Sequence, residues 1–306
     1  MCEGKVFYWK IGPDKQFERI KTTLMIIFRQ ADSLRRYLDL QRSNKTSIGF
    51  VPTMGALHAG HLALLKESKK QSGITVCSIF VNPTQFNDRK DFEKYPVIIE
   101  QDIQHIESIG TDILFLPAVD DIYPDRTGKL ENYELGYIET VLEGKFRPGH
   151  FQGVSQVMKR LLDIVSPDKL FMGQKDYQQS LIVGHLLQKL NTKTELVVVA
   201  TMRENNGLAM SSRNMRLTEI ERTTAGAIRQ SLEYIKEHIS AGNLTDLKKN
   251  ASDILLAHSF MIDYVEIADR DTLVLTNVWD GKQKLVALVA VFIRDVRLID
   301  NMLLNS

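Results

Sequence analysis

The sequence predicts an α/β fold in which a Rossmann-like, doubly wound parallel sheet is followed by a second, smaller α+β domain at the C-terminus. Three observations support this. The chain has 306 residues, 43% of them apolar, which is enough for two domains. From Thr46 onward, β-rich runs alternate with helical patterns. After "RENNGLAMSSRNMRL" the alternation stops, and helices are followed by a group of strand-like runs.

The parallel domain is predicted from strands and helices that follow one another in order. The runs "TSIGFVP", "ITVCSIFV" and "DILFLP" predict three buried strands, with helices that begin at about His58 and Ile98 between them. After the loop-rich stretch "AVDDIYPDRTGKLENYELG" we expect a helix at residues 151–165, the strand "KLFMG", a helix from Asp176 and the strand "TELVVVATM". Ligands bind such sheets at the carboxyl ends of the strands.

The smaller domain begins near residues 200–203, where the alternation ends. Thr218 and Glu221 match a capping box ahead of a long helix, and a second helix is expected at residues 247–258. The runs "IDYVEIA", "KLVALVAVFI" and "VRLIDNML" then predict strands that are antiparallel or mixed.

Composition limits the classes of partner. A net charge of +1 provides no global field toward nucleic acid or an anionic membrane, so local cations must hold any anionic ligand. Cys2 and Cys77 show neither disulfide-framework nor CxxC spacing, which indicates a reducing cytoplasm. The longest apolar run, residues 285–293, is too short to span a bilayer. We therefore expect a cytoplasmic protein with small-molecule ligands and neither nucleic-acid nor membrane partners.

The stretch "VPTMGALHAGHLALL" places His58 and His61 at a strand-to-helix junction, between Gly55 and Gly60. A helix N-terminus binds phosphate through its free N–H groups, and glycine lets the backbone approach. Residues three apart share a helix face, so both histidines can donate hydrogen bonds to one phosphate chain. For an arbitrary H-x-x-H motif, the better interpretation is that one histidine caps the helix and the other packs in the core. Here the preceding strand, the two glycines and the start of a helix favour a phosphate site instead. Zinc is less favoured, because metalloprotease histidines lie four apart around a glutamate.

The run "FVNPTQF" supplies amides at the same expected edge of the sheet. Pro83 ends the strand, so Asn82 and Gln85 fall in the loop that follows it. An amide donates and accepts, which suits hydroxyl and carboxylate groups of a small polar substrate. A plain Asn-Pro turn is an equally good interpretation of this run taken alone.

Two further junctions supply cations. "GKFRPGHFQGV" brings Arg147 and His150 to the start of a helix, and "MGQKDYQQS" does the same for Lys175 and Asp176. Cations at one sheet edge would neutralise a triphosphate, although a solvated surface role is the alternative for any single one. "LAMSSRN", residues 208–214, lies where the domains meet and reads either as a loop that closes on phosphate or as a linker.

Together these residues resemble the pantothenate synthetases, the pantoate:β-alanine ligases of the HIGH-signature nucleotidyltransferase superfamily. The resemblance runs from about residue 25 to the end of the chain, through "PTMGALHAGH", "FVNPTQF", "RPGHFQGV", "FMGQKDYQQ", "GLAMSSRN" and "RLIDN". It implies an ATP- and pantoate-binding domain at residues 25–201 and a smaller lid domain at residues 202–306. Residues 1–24 are an unmatched N-terminal extension. The resemblance also implies a homodimer.

The resemblance implies a two-step reaction that uses ATP with Mg²⁺. Pantoate's carboxylate would attack the α-phosphorus to give pantoyl adenylate and pyrophosphate, and the amine of β-alanine would then displace AMP to give pantothenate. The expected catalytic residues are His61, His58, Lys175 and Arg213. Fixed donors there would act by electrostatic stabilisation and alignment, because charge accumulates on the phosphates.

The resemblance also assigns binding residues position by position. Lys175 would contact phosphate, Asp176 the ribose, and Met202 adenine through its backbone. The expected ATP-binding residues are Met54, Gly55, Ala56, Leu57, His58, Ala59, Gly60, His61, Gly173, Gln174, Lys175, Asp176, Met202, Met210, Ser211, Ser212 and Arg213. The expected pantoate- and β-alanine-binding residues are Gln85, Gln179, Asn82, Arg147 and His150.

Two departures from the family pattern leave alternatives open. Val97 stands where the family usually has arginine, and Asn206 stands where aspartate is common. Another nucleotidyltransferase of the superfamily, such as a cytidylyltransferase, would leave the two glutamines without a role. A non-catalytic nucleotide-binding regulatory protein is the second alternative, and the departures favour it. Protein ligands of Mg²⁺ stay open, with Asp102 as a candidate.

Overall fold

A computed structural model of the chain describes residues 24–86, 92–93, 95–124 and 131–305. The expected N-terminal extension at residues 1–24, with Cys2, lies outside the described residues except for Leu24. No helix in the described ranges has the length and apolar character needed to cross a membrane.

The first domain is built on a parallel sheet of six strands in the order β1-β4-β3-β2-β5-β6. Every neighbouring pair is parallel, which confirms the doubly wound fold. The chain leaves β2 toward β3 on one side, and it returns through β5 on the other, so the topological switch point lies between β2 and β5. The strands are β1 (Ile26–Phe28), β2 (Ile48–Thr53), β3 (Ile74–Ile79), β4 (Ile113–Phe115), β5 (Lys169–Gly173) and β6 (Glu195–Val199).

Helices cover both faces of this sheet, which explains why its strands are apolar runs without alternation. On one face α2 and α3 pack around Val51 and Cys77, and on the other α1, α6 and α7 pack around Ile48 and Phe50. The helices are α1 (Ala31–Ser43), α2 (Ala59–Gln71), α3 (Ile99–Ser108), α4 (Val119–Ile122), α5 (Glu143–Phe146), α6 (His150–Val165) and α7 (Tyr177–Lys189).

The second domain contains an antiparallel sheet in the order β11-β10-β8. Its strands are β8 (Met261–Asp269), β10 (Leu285–Ile293) and β11 (Val296–Leu303), and a small pair is formed by β7 (Gly242–Asn243) and β9 (Val278–Trp279). Its helices are α8 (Glu219–Thr224), α9 (Ala227–His238) and α10 (Thr245–Ala257). Residues such as Val289 pack with α9 and α10, whereas Leu288 and Tyr264 join the core of the first domain. The small domain is therefore docked on the large one.

The structure departs from the sequence-based prediction in two details. The strand β1 and the helix α1 precede residue 46, where the predicted alternation begins, and β1 has only three residues, two of them exposed. The long helix expected after Thr218 is two helices, α8 and α9, which separate at Gly226. A Cβ on Gly226 would lie 2.9 Å from the carbonyl oxygen of Asn206, so a close tertiary approach occurs at the break.

Candidate active site

A deep cleft opens at the carboxyl ends of β2 and β5, at the switch point of the parallel sheet. It is bounded by the loops that follow the strands and by the docked small domain. Most of the predicted site residues line it, namely Met54, His58, Gly60, His61, Asn82, Gln85, Arg147, His150, Gly173, Lys175, Asp176, Gln179, Met202, Met210, Ser211, Ser212 and Arg213. Residues far apart in sequence are thus brought to one place.

The histidine pair forms the start of α2. His58 is the N-cap, and its Nδ1 accepts the backbone N–H of Gly60 at 3.1 Å, while Nδ1 of His61 accepts the backbone N–H of His58 at 3.3 Å. Because a backbone N–H can only donate, both Nδ1 atoms carry lone pairs and each neutral ring carries its proton on Nε2. A Cβ on Gly60 would lie 2.8 Å from Cε1 of His58, which explains the glycine between the histidines.

Both histidines are neutral at physiological pH. Burial, reinforced by the charge of Lys175, lowers the pKa of His58 from 6.5 to about 4. Burial, reinforced by His58, lowers the pKa of His61 from 6.5 to about 3. The pair can therefore offer neutral Nε2–H donors to an anion, and the positive charge must come from other residues.

A strained turn connects β2 to α2. Gly55 has φ of 83° and Ala56 has φ of 49°, both in the left-handed region. The carboxylate of Asp102 on α3 accepts the backbone N–H of Ala56 at 2.8 Å and that of Leu57 at 2.7 Å. Gly55, Ala56 and Leu57 therefore lie behind the cleft wall, not among the residues that line it. Asp102 is fully buried against the turn, and this placement does not fit the magnesium ligand suggested from sequence.

The segment after β5 presents a cation to the cleft. Nζ of Lys175 lies 3.4 Å from Oδ1 of Asp176. Burial acts to raise the pKa of Asp176, but Lys175 and Arg213 outweigh it and hold that pKa below its usual value. Gln174 is not among the residues that line the cleft, and its side chain donates to Oδ1 of Asn301, which is, at 3.2 Å. An ionised carboxylate beside a lysine can accept from hydroxyl groups while the lysine contacts phosphate.

The predicted amide side chains differ in the hydrogen bonds that they make within the protein. Nδ2 of Asn82 donates to Oε1 of Gln85 and to the carbonyl oxygen of Gly153, each at 3.2 Å. Nε2 of Gln85 donates to Sδ of Met54 at 2.8 Å. The side chain of Gln179 lines the cleft and makes no hydrogen bond to another described residue. Gln179 is therefore the predicted amide that is most available to a ligand.

His150 lies in the cleft wall and forms hydrogen bonds with two neighbouring residues. Nη1 of Arg147 lies 3.1 Å from Nε2 of His150, and Nδ1 of His150 lies 2.8 Å from the carbonyl oxygen of Gln85. Because arginine can only donate, Nε2 accepts and Nδ1–H donates to Gln85. Burial, with the charge of Arg147, lowers the pKa of His150 from 6.5 to about 4. Both ring nitrogens of His150 are thus used within the protein, by Arg147 and by the carbonyl group of Gln85.

The loop predicted to cover phosphate is docked on the turn before α2. Oγ of Ser212 donates to the carbonyl oxygen of Ala56 at 2.9 Å, and the N–H of Met210 donates to the carbonyl oxygen of Met202 at 2.9 Å. Arg213 follows in a 3-10 segment whose N-cap is Ser211. The loop therefore closes one side of the cleft above the histidine pair.

Sequence reasoning missed two features of the cleft. Nδ2 of Asn301 on β11 donates to the carbonyl oxygens of Gln174 and Lys175, each at 2.9 Å. The motif "RLIDN", which ends at Asn301, supports the family resemblance but does not predict this role for Asn301. An apolar wall was also missed because its residues have ordinary core spacing; it consists of Phe80, Phe151, Val154, Val157, Met158, Leu161 and Met172. Among the described residues, no group of three or more His, Cys, Asp or Glu side chains could hold a metal ion.

Comparison with known proteins gives a consistent family. The model of the pantoate-beta-alanine ligase family matches residues 26–303. The pantothenate synthetase of Flavobacterium psychrophilum is 42% identical over 92% of this chain and 100% of its own length. That of Bacteroides thetaiotaomicron is 38% identical over 90% of this chain and 98% of its own length.

Solved structures agree with these matches. The crystal structure of pantothenate synthetase from Thermus thermophilus has a TM-score of 0.85 and 35% identity, and it covers 92% of this chain and 100% of that one. A structure of pantoate-beta-alanine ligase from Francisella tularensis, complexed with beta-gamma ATP and beta-alanine, has a TM-score of 0.76 and 35% identity. That match covers 92% of this chain and 99% of the other.

Proposed function

The chain belongs to the pantoate-beta-alanine ligase family, and from this premise we propose a role for each part of its cleft. The protein catalyses the ATP-dependent condensation of pantoate with β-alanine, through a pantoyl adenylate. The observation that supports the assignment of roles is the common cleft. Neutral histidine donors, a lysine and the amide of Gln179, which has no partner among the described residues, line it together at the switch point of the sheet. The sequence-based alternatives, a cytidylyltransferase or a regulatory nucleotide binder, have no such support.

ATP is proposed to lie across the start of α2. Nε2–H of His58 and of His61 would donate to its phosphates, and Lys175 and Arg213 would supply the positive charge that the neutral histidines lack. Asp176 would accept from the ribose hydroxyls. Met202, just after β6, is exposed, and its backbone N–H, which has no acceptor among the described residues, would donate to adenine, whereas its carbonyl oxygen already accepts from Met210.

Pantoate is proposed to lie deeper, between Gln179 and the apolar wall. Its carboxylate and hydroxyl groups suit the free amide of Gln179 and the braced amide of Gln85. Its two methyl groups suit the surface around Phe151 and Val154. Arg147 would complete the polar side, because its guanidinium lines the cleft and such a group has enough N–H donors to serve both a protein partner and an anion.

The two steps follow from this placement. A carboxylate oxygen of pantoate attacks the α-phosphorus, and the bond to the bridging oxygen of pyrophosphate breaks with its electron pair on pyrophosphate. The neutral amine of β-alanine then attacks the acyl carbon, AMP leaves with the electrons of the carbon–oxygen bond, and the surplus proton on the nitrogen is lost to AMP or solvent to give the amide. Fixed donors from His61 and Lys175 stabilise the charge on the phosphates in the first step, and they need no reorganisation.

Mg²⁺ is proposed to enter as part of MgATP. Among the described residues no cluster of three or more His, Cys, Asp or Glu side chains could hold a metal, which fits an ion held mainly by phosphates and water. We also propose the domain boundary at residues 201/202, a homodimer and a cytoplasmic location, as expected from the sequence. Cys77, the free thiol among the described residues, is buried, which suits a reducing compartment.

Exchange of labelled pyrophosphate into ATP tests the proposal. Exchange should require pantoate and Mg²⁺ and should proceed without β-alanine, because the first step is complete before the amine reacts. A regulatory ATP binder would give no exchange. Exchange that is equally fast without pantoate would contradict the assignment of the cleft.

A further inference from the structure

Asp102 is a buried carboxylate that the proposed reaction does not use. It lies in the first turns of α3, is fully buried and makes no ion pair with another described residue. Its two oxygens instead accept the backbone N–H groups of Ala56 at 2.8 Å and Leu57 at 2.7 Å. A buried charge is costly unless hydrogen bonds compensate it, so these two contacts hold the carboxylate and the turn to each other.

The turn that Asp102 contacts needs an external restraint. Ala56 has φ of 49°, a left-handed conformation that an alanine side chain disfavours, and Gly55 before it has φ of 83°. A Cβ on Gly55 would lie 3.0 Å from Oδ2 of Asp102, so the carboxylate fits closely against the glycine. Strained residues persist only where their surroundings hold them, and the contacts from Asp102 are such a restraint.

The direction of these hydrogen bonds limits how the turn can bind ATP. The N–H groups of Ala56 and Leu57 point to Asp102 and are not available to phosphate. The side-chain donors left at this junction are the Nε2–H groups of His58 and His61, whereas the N–H of Gly60 in the first turn of α2 already donates to Nδ1 of His58. The carbonyl group of Ala56 meanwhile receives Ser212 from the covering loop.

We propose that Asp102 is a positioning residue for the adenylation step, which holds the β2–α2 turn in the conformation that directs both histidines at the phosphates and docks the covering loop. The inference rests on the proposed function. It assigns to Asp102 a role in which it touches neither substrate nor metal.

The substitution Asp102→Asn removes one of the two acceptors and places an amide N–H against a backbone N–H. Asp112→Asn is a matched control, because Oδ2 of Asp112 accepts the backbone N–H of Thr75 at 2.7 Å and pairs with Lys69 at 2.8 Å, at the opposite end of the sheet. Both variants should lose thermal stability. Asp102→Asn alone should lower pantoate-dependent pyrophosphate exchange at saturating ATP, by about tenfold or more, since it loses a charge-assisted hydrogen bond.

Two further measurements separate positioning from general destabilisation. The imidazole ¹⁵N spectrum of the wild type should show both histidines protonated on Nε2, and Asp102→Asn should shift those signals while Asp112→Asn leaves them in place. Ala56→Gly added to Asp102→Asn should restore part of the exchange, because glycine adopts positive φ without strain. If the single variant does not fold, the same spectrum recorded on the double variant should still differ from the wild type.

Wild-type exchange together with unchanged histidine signals in Asp102→Asn would overturn the proposal. Loss that excess Mg²⁺ restores would also overturn it, because Asp102 would then be a metal ligand. Failure of the proposed function is distinguishable from either result, since the wild type itself would then show no exchange while the histidine spectra still report on the turn.

Discussion

The side-chain nitrogen of Asn301 lies 2.9 Å from the carbonyl oxygen of Lys175, so a residue of the small domain holds the backbone of the lysine that we propose binds phosphate. The same nitrogen donates to the carbonyl oxygen of Gln174 at 2.9 Å. Asn301 is almost fully buried and lies next to Asp300, which pairs with Arg203 at 2.6 Å. The contacts by which the small domain docks on the large one therefore also hold the backbone of Lys175 in place.

We predict that Asn301→Ala raises the KM for ATP and lowers the exchange rate, together by about tenfold, because two hydrogen bonds to the Lys175 segment are lost. Steady-state kinetics with ATP and pantoate varied separately would measure it. Asn305→Ala is the control, since Asn305 also bonds backbone groups of the small domain, at Leu285 and Gln283, away from the cleft. Equal effects of the two substitutions on ATP kinetics would contradict the coupling.

The two amides of "YQQS" should behave differently. Gln179→Ala should raise the KM for pantoate more than that for ATP and leave the melting temperature nearly unchanged, because its amide has no partner among the described residues. Gln178→Ala should instead lower the melting temperature, because Gln178 is buried and bonds Ile138, Val141 and Glu143. Isothermal titration with pantoate and thermal denaturation of both variants would test this. An effect of Gln179→Ala confined to ATP would move that residue to the nucleotide site.

Local patterns were sufficient to predict the start of α2 and the strand β5. The first depends on a strand, glycines and a capping histidine that are adjacent in sequence, and the second is a short apolar run. The roles of Asp102 and Asn301 could not be predicted in this way. Their partners are backbone groups of Ala56, Leu57 and Lys175, which are distant from them in sequence. Because almost every residue has a backbone N–H and a carbonyl group, the sequence does not show which of these groups is the partner.

A glycine on α6 should be required for the fold around the amides. The helix approaches the turn after β3 so closely that a Cβ on Gly153 would lie 2.2 Å from the carbonyl oxygen of Thr84. We predict that Gly153→Ala destabilises the protein by about 1–3 kcal/mol through this backbone clash and lowers pantoate affinity. Gly184→Ala on α7 is the control, because its Cβ would meet only Leu196 at 3.6 Å. Urea unfolding that ranks the two variants equally would disprove the steric argument.

Stability should decrease as the pH falls from 7 to 5.5. The folded-state pKa values of His58 and His150 are lowered to about 4 and that of His61 to about 3, whereas an unfolded histidine titrates near 6.5. Below pH 6.5 these histidines therefore bind protons in the unfolded chain but not in the folded chain. The free energy of unfolding falls by about 1 kcal/mol per histidine by pH 5.5. Above about pH 7.5 the unfolded histidines are also neutral, so the three residues contribute almost no further pH dependence.

Urea unfolding at pH 7 and pH 5.5 would measure this loss, and His150→Gln should make it smaller. The proton resonances of His58, His61 and His150 provide an independent check on the folded protein, and these three should not titrate between pH 8 and pH 5.5. A midpoint near 6.5 for His58 or His61 would show that this imidazole becomes charged close to neutral pH, and the neutral-donor role would then be wrong.

His61 should act on the rate of adenylation more than on the binding of ATP. Its Nε2–H is fixed by the hydrogen bond that Nδ1 accepts from the N–H of His58, so the donor is aligned before the substrate arrives. A neutral donor gains little from the ground-state phosphates and more as charge develops on the leaving pyrophosphate. We predict that His61→Ala lowers the rate of pantoyl-adenylate formation by about 10²-fold or more and changes the Kd for ATP by much less.

Rapid-quench kinetics would measure the rate of adenylate formation, and equilibrium titration would measure the Kd for ATP. The control is His185→Ala, because His185 is an exposed histidine on α7. If the Kd rises as much as the rate falls, His61 serves binding alone, and the charge on pyrophosphate must be stabilised by Lys175 and Arg213.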